Sequence, residues 1–533
     1  MRRTYDLIFL GATLVDGTGA PPSVADVAVR DHTIVDVGKI DPGGAGRVVD
    51  GTGLMLAPGF IDMHTHSDRS LLADPAAESK VRQGVTTELI GNCGSSPTPR
   101  IGAVAEDEKS RFDRYGIEPS WRTMGEYLDA LEANGLGINV LALVGHGSVR
   151  KAVIDHAMRA PDAAELAEMR RHVAESLRGG AVGLSTGLVY PPGSFAATEE
   201  IVELTREVAA ADRLYASHMR NEADYLLDAV KETLRIARET GANVEISHHK
   251  ASNPRVWGLV HETLAMIDQA NADGLRVDFD QYPYRASSTG LNAMLPAWAH
   301  EGGMPAMMAR LDDPAERARL VASLRDEQVS GIGRGIGWDN ILIADCRGER
   351  SLDGKTIEQI AAERGADPVE TVLDVLHTSD CDVGTIYFSM SEDDIRTVMR
   401  HPRMMVGSDS VSLTIGGKTE QGKPHPRTYG TFARILGHYV RDERVLAWEE
   451  AIRKMSGRPA EKLGLVDRGT VAVGKRADLV LFDPATVRET ATYEEPHQYP
   501  EGVRMVVVNG RVAVDAGRHT GALAGQVLRP SSS

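Results

Sequence analysis

Eight short apolar runs through the middle of the chain, separated by stretches of helical periodicity, constrain the fold more than any other feature. They are 58–64, GVTTELIG (84–91), GINVLALVG (137–145), AVGLST (181–186), LYASH (214–218), NVEISH (243–248), LRVDFDQY (275–282) and MMVGSD (404–409). Amphipathic segments such as 161–178, 198–211, 222–240 and 258–272 lie between them, the alternation of a parallel sheet covered by helices. Eight such repeats point to an α/β fold, a (β/α)8 TIM-like barrel. One interval, from Tyr282 to Met404, is too long for a single helix. It holds AERARLVASLRDEQ, a glycine-rich GIGRGIGWDN and a further helix pair, so a lid-like insertion is expected around 285–350.

Both ends of the chain have another texture. DLIFLGATLVD, VADVAVRDHTIVDVG and GRVVDGTGLMLAPG are short β runs broken by Gly and Asp turns. GTVAVGKRADLVLFD (469–483) and GVRMVVVNGRVAVDAG (502–517) return to that pattern. A small β-sandwich domain built from residues 1–57 and 468–533 is therefore expected beside a catalytic barrel of 58–467, and 533 residues suffice for both.

The N-terminal MRRTYDLIFLGATLVDGTG lacks a signal peptide's apolar core and cleavage site and reads as a strand and turn. No stretch approaches the roughly 18 apolar residues of a membrane span. Cys93, Cys346 and Cys381 are too few and scattered for a disulfide framework, so a reduced, cytoplasmic protein is expected. Lys plus Arg number 59 against 76 Asp plus Glu, a net charge of −17, which argues against a nucleic-acid partner.

The active face of such a barrel lies at the C-terminal ends of its strands. His64, His66 and Asp68 follow the first run, Cys93 the second and His146 the third. His218 ends the fifth, His248 the sixth and Asp409 the eighth. If residues 59–66 form a strand, alternation turns His64 and His66 the same way, and neutral imidazoles so spaced can share one metal ion. These are metal-ligand types converging on one mouth.

The His-x-His strand, the strand-end histidines and the final Asp resemble the amidohydrolase superfamily. GNCG around Cys93, ASHMRNE around His218, ISHHK around His248, DQYPY around Tyr282 and HPRTYGTFARILGHY at 425–439 resemble its N-acyl-D-amino-acid deacylases (D-aminoacylases) over nearly the whole chain. The resemblance implies a tightly held Zn²⁺ on Cys93, His218 and His248. A second, weaker position would use His64 and His66, with Cys93 able to bridge and Asp409 adjacent. Many barrel hydrolases of this superfamily bridge two metals with a carboxylated lysine after strand four. Thr186, Gly187 and Leu188 stand there instead, and the soft, negative thiolate of Cys93 is a sensible replacement.

The resemblance further implies hydrolysis of the amide of an N-acyl-D-amino acid. Zinc lowers the pKa of a bound water towards ~7. Asp409 accepts its proton and returns it to the leaving amine, and the metal, with His64 and His66 nearby, stabilises the oxyanion. The substrate's α-carboxylate needs cations. Lys250, two residues beyond His248, shares its direction in an extended backbone, and Arg427 offers a bidentate guanidinium and Tyr282 a hydroxyl. In the family the matching Lys, Tyr and Arg fix D-chirality. Tyr190, Leu188, Met390 and the 285–300 segment fall near the substrate side chain. No extra cation among them is strategically placed to demand an acidic side chain, and Tyr190, Leu188 and Met390 favour a neutral or hydrophobic one. His249 is expected to face outward, His146 to be structural or to support a ligand, and Cys346 and Cys381 to be inert. The rival readings are a cyclic amidase of the hydantoinase or dihydroorotase kind and a non-catalytic binding module. Against the first stand the missing strand-four lysine and the presence of Cys93 and Arg427. Against the second, every ligand position is filled.

Overall fold

A computed structural model describes residues 5–326 and 331–530. Residues 1–4, 327–330 and 531–533 lie outside them, with the start of the expected N-terminal strand, part of the lid-like segment and the end of the tail. Each of the eight apolar runs contains a strand: Phe60–Asp62, Val85–Ile90, Asn139–Gly145, Gly183–Gly187, Leu214–His218, Asn243–Ile246, Arg276–Gln281 and Met404–Val406. They join in one eight-stranded parallel sheet in sequence order. Single hydrogen bonds draw its first and last strands together, from Met63 N–H to the Val406 carbonyl at 3.1 Å and from His66 N–H to that of Ser410 at 3.0 Å. The sheet is thus a near-closed (β/α)8 barrel.

The runs read as almost continuously apolar because both faces of a covered parallel strand are buried. Leu141 and Leu143 pack inside the barrel with Ile61, Met63, Leu89 and Met405, whereas Val140, Ala142 and Val144 pack outward against the helices. Helices Ala163–Arg178, Thr198–Ala210, Leu226–Thr240 and Val260–Ala272 form part of that outer layer. Leu226–Thr240 buries Leu226, Ala229, Val230, Thr233, Leu234 and Ala237, the spacing of one helical face, and stops at Gly241, whose φ is 70°. It starts four residues later than the periodicity predicts. The Asn221 side chain accepts the N–H groups of Ala223 and Tyr225, and this turn frees Glu222 to point inward.

The first strand ends at Asp62, short of the expected 59–66. Asp62 Oδ1 itself accepts the N–H groups of His64 at 3.3 Å and Ser408 at 2.8 Å, replacing the ladder bonds that would continue the strand.

The chain ends contribute to a single nine-stranded sheet. Tyr5–Leu14, Ser23–Arg30, Thr33–Gly38, Ala45–Asp50 and Met55–Pro58 join Leu479–Phe482, Val503–Val508, Arg511–Asp515 and Arg518–His519. Phe9, Val27 and Leu56 from one end share a core with Leu479, Leu481 and Val507 from the other. The last described residues leave this sheet and strap the barrel, Val140 N–H donating to the Gln526 carbonyl and Leu528 N–H to that of Val140.

The insertion is larger than 285–350. Its antiparallel strands Ala286–Gly290, Ile341–Cys346 and Val383–Phe388 form a three-stranded sheet, and Leu291, Leu311, Ile343, Ile360, Leu373 and Tyr387 belong to a core of its own. The strand that completes this sheet comes after residue 350, which is why the unit runs on to Phe388. Among the described residues no helix is long and apolar enough to cross a membrane.

Candidate active site

The Gly91–Gly94 turn after the second barrel strand lifts Cys93 into the barrel mouth. A Cβ at Gly91 would lie 2.1 Å from the Leu143 carbonyl oxygen, and one at Gly94 would lie 2.7 Å from the Gly187 nitrogen. Both positions also have positive φ, so only glycine fits this turn. Cys93 Sγ lies 3.2 Å from His64 Nε2, 3.4 Å from His218 Nδ1 and 3.5 Å from His248 Nε2. His66 Nε2 is 3.0 Å from Asp409 Oδ1. Two potential ligand groups result, Cys93–His218–His248 and His64–His66–Cys93–Asp409, joined at the thiol. Ligand atoms sharing a tetrahedral zinc, at about 2.3 Å for sulfur and 2.0 Å for nitrogen, sit at separations of this order, and the thiolate–imidazole set suits that ion. Asp68 stays out of the cluster, buried with its carboxyl pushed up by burial, while its carbonyl accepts from Tyr127 Oη at 2.6 Å.

Burial opposes charge on Cys93, but His64 and His218 outweigh it and hold the thiol well below its usual range. Burial also opposes charge on His66, yet its hydrogen bond to Asp409 brings the imidazole up to about 9. For Asp409 burial would raise the carboxyl, and Arg427 and His66 instead hold it well below the carboxylate range.

Two carboxylates aim the histidine rings. Glu222 Oε1 sits 3.0 Å from His248 Nδ1, and its other oxygen 3.7 Å from His218 Nε2. Asp280 Oδ2 lies 3.4 Å from His64 Nδ1, and its Oδ1 accepts the His248 N–H at 3.0 Å. Such partners fix the orientation of a metal-binding imidazole. Neither carboxylate is singled out by the sequence reading, although Glu222 lies in ASHMRNE, four residues after His218, and Asp280 precedes QYPY.

Beside the cluster, Lys250, Tyr282 and Arg427 come together. Arg427 Nη1 is 2.9 Å from Asp409 Oδ2, and its guanidinium lies 4.7 Å from the Tyr282 ring centre. Lys250 Nζ, 5.6 Å from the same ring, donates to Glu222 Oε1 at 2.7 Å and to the His248 carbonyl at 2.8 Å. A small cavity of about 40 Å³ lined by Lys250 and Tyr282, though not by Arg427, opens on His218, His248 and Asp409. A larger one of about 770 Å³ is lined by Leu188, Tyr190, Met294, Leu295, Pro296 and Ala297, and it also reaches Cys93, His66 and Asp409. Tyr190 packs edge-on to His218, ring centres 4.9 Å apart.

Met390 lines neither cavity. It packs behind Tyr282, whose hydroxyl faces its sulfur at 3.9 Å. His249 does turn away from the mouth but is fully buried rather than solvated, 2.8 Å from Thr263 Oγ1, and burial lowers it to about 4. His146 Nε2 lies 2.8 Å from Glu200 Oε1 and touches no member of the cluster. Cys346 and Cys381 are buried in the insertion.

The chain matches the amidohydrolase family over residues 47–514. It is 37% identical to the D-aminoacylase of Alcaligenes xylosoxydans xylosoxydans, over 98% of this chain and 97% of that protein. The N-acyl-D-aspartate deacylase of the same organism is 38% identical, over 99% of this chain and 96% of its own. Among solved structures, the N-acyl-D-glutamate deacylase of Bordetella bronchiseptica superposes with a TM-score of 0.82 at 36% identity, covering 99% of this chain and 100% of that one. That enzyme is complexed with zinc and a phosphonate inhibitor that mimics the tetrahedral intermediate of its reaction.

Proposed function

The chain belongs to the amidohydrolase family, and from that premise we propose that it hydrolyses N-acyl-D-amino acids with zinc as its cofactor, releasing a carboxylate and a free D-amino acid. Cys93, His218 and His248 would hold the tight metal, and His64 and His66, beside Cys93 and Asp409, a weaker one. Bound zinc supplies Lewis-acid polarisation of the amide carbonyl and acidifies a water molecule. The chain's own residues do the rest. Asp409 takes the proton of the attacking water on a carboxylate oxygen and passes it to the departing amine. Arg427 and Lys250, with the Tyr282 hydroxyl, hold the α-carboxylate, while Glu222 and Asp280 keep the imidazoles in place.

The observation that carries this reading is the placement of Arg427 against both Asp409 and Tyr282, with Lys250 5.6 Å from the centre of the same ring. An ammonium lining a small cavity beside the metal cluster, with a buried guanidinium 4.7 Å from the Tyr282 ring on its wall, suits a free carboxylate close to the scissile bond. A hydantoin has none there. The cavity wall of Leu188, Met294, Leu295, Pro296 and Ala297 supports a neutral or hydrophobic side chain. The same wall also carries Arg111, Lys151 and Arg220, each paired with a carboxylate, and Arg334, which donates to the backbone carbonyls of Leu324 and Met294. Three cysteines without a disulfide support a reducing, cytoplasmic setting, and the cavities suit a small-molecule partner.

The zinc-loaded protein should turn over N-acetyl-D-leucine or N-acetyl-D-phenylalanine faster than N-acetyl-D-glutamate, and leave L-isomers and hydantoins untouched. Turnover of hydantoins, or preference for L-substrates, would overturn the assignment.

A further inference from the structure

Behind the metal cluster lies a fully buried lysine that lines neither cavity of the site. Lys80, on the short helix Glu78–Val81, donates through Nζ to Asp62 Oδ2 at 3.0 Å, Ser408 Oγ at 2.6 Å and Ser410 Oγ at 2.8 Å. The serines flank Asp409, and Asp62 precedes His64 by two residues. Asp62 Oδ1 accepts the N–H groups of both Ser408 and His64, and Asp409 N–H donates to the His64 carbonyl at 2.8 Å. One ammonium therefore ties the strand end that bears His64 and His66 to the turn that bears Asp409. The tie lies at the seam where the eight-stranded sheet begins and ends.

The turn needs holding. Asp409 has a φ of 49°, a left-handed conformation that a non-glycine residue keeps only when its surroundings enforce it. The Asp409 side chain meets His64, His66 and Arg427, and the His66 N–H also holds the turn from the strand side, donating to the Ser410 carbonyl at 3.0 Å. Lys80 holds it from behind. It makes no contact with the carboxylate and grips the hydroxyls on either side of it. An ammonium kept dry is costly unless its hydrogen bonds are fulfilled, and here three good acceptors converge on it.

We propose that Lys80 is a positioning residue for Asp409: through Ser408 and Ser410 it fixes the turn so that the carboxylate stays aimed at the metal cluster. The inference rests on the reading of Asp409 as the proton carrier. Lys80 itself lines neither cavity and meets no substrate.

Two variants test it in the full-length, zinc-loaded protein. Ser408→Ala/Ser410→Ala removes the grip on the turn and leaves the Lys80–Asp62 ion pair intact. Lys80→Met/Asp62→Asn removes both charges together, and Asn keeps an oxygen for the two backbone N–H groups. In each, kcat for an N-acyl-D-amino acid should fall by about tenfold or more, the scale expected when a reacting group is misplaced by an ångström or less. KM should change by less than about threefold, since no substrate contact is removed, and the zinc content should stay at the wild-type level. A crystal structure of the serine variant should show residue 409 displaced from its positive φ. Unchanged kcat in either folded variant, or a raised KM with kcat intact, overturns the proposal. If the charge-removed variant fails to fold, the serine variant decides alone. Were the wild type inactive on N-acyl-D-amino acids, the functional reading would fail. The position of Asp409 in crystals of the wild type and the serine variant would still decide whether the turn depends on this grip.

Discussion

Cys93, His248 and Asp409 hold φ angles of 51°, 37° and 49°, so three of the side chains meeting at the barrel mouth sit on left-handed backbone. Non-glycine residues in that region store roughly 1–3 kcal/mol each and persist where the fold enforces them, which is characteristic of functional sites. The residue types were legible in the sequence because a strand end is recognisable and Cys, His and Asp are conspicuous there. Their partners were not. Glu222 and Asp280 are ordinary acidic residues until the turn at Asn221 and the neighbouring strands bring them to imidazole nitrogens. Arg427 was expected to await a carboxylate, and it already lies against one, that of Asp409. Arg427→Ala should raise KM for D-substrates and, since its partner Asp409 is the proton carrier, lower kcat as well, with a loss in kcat/KM worth on the order of 2–5 kcal/mol, as for truncating one partner of a buried charge pair. Steady-state kinetics across an N-acetyl-D-amino-acid series checks this. An unchanged KM would assign the carboxylate to another group.

Elements set how far each ligand reaches. The Gly91–Gly94 turn carries Cys93 because its backbone passes against the Leu143 carbonyl and the Gly187 nitrogen, where a methyl group has no room. Gly91→Ala, a change that touches no ligand, should push this turn outward and lower the zinc content of purified protein. Metal analysis of folded variant and wild type reads the effect, and full retention of zinc would mean that the turn yields without moving Cys93. Periodicity located the barrel strands and four of the helices, since apolar spacing reports directly on which face is buried. It misjudged ends where a side chain replaces a backbone partner, as Asp62 does at the first strand and Asn221 before Leu226–Thr240. The extent of the insertion was hidden for a related reason. Its sheet is completed by Val383–Phe388, which pairs with Ala286–Gly290 across almost the whole segment.

At the scale of the molecule, charge buried between layers couples stability to pH. Glu88, on the second barrel strand, is fully buried and accepts from Ser67 Oγ at 3.0 Å. Burial first, then the nearby Asp62 and Asp68, push it up to about 7 despite Lys80. Its folded value lies above the roughly 4.5 of an exposed glutamate, so the native state keeps a proton that the unfolded chain releases. The stability this contributes is fully present below about pH 4.5 and is lost as pH rises through about 7, with an upper bound of roughly 3 kcal/mol. Denaturation of wild type and Glu88→Gln at pH 5 and pH 8 should show the wild type losing ground to the variant at the higher pH. Parallel behaviour would place that proton elsewhere. The sequence by itself determined the barrel rhythm, the β texture of both ends and the ligand types at the strand ends, because those follow from local periodicity and from where a strand must stop. Tertiary structure alone decided the pairings: Glu222 on His248, Arg427 on Asp409, the C-terminal strap on Val140, and Lys80 on a serine 328 residues away. Buried polar groups must find partners wherever the fold brings them, and no local pattern records which ones those are.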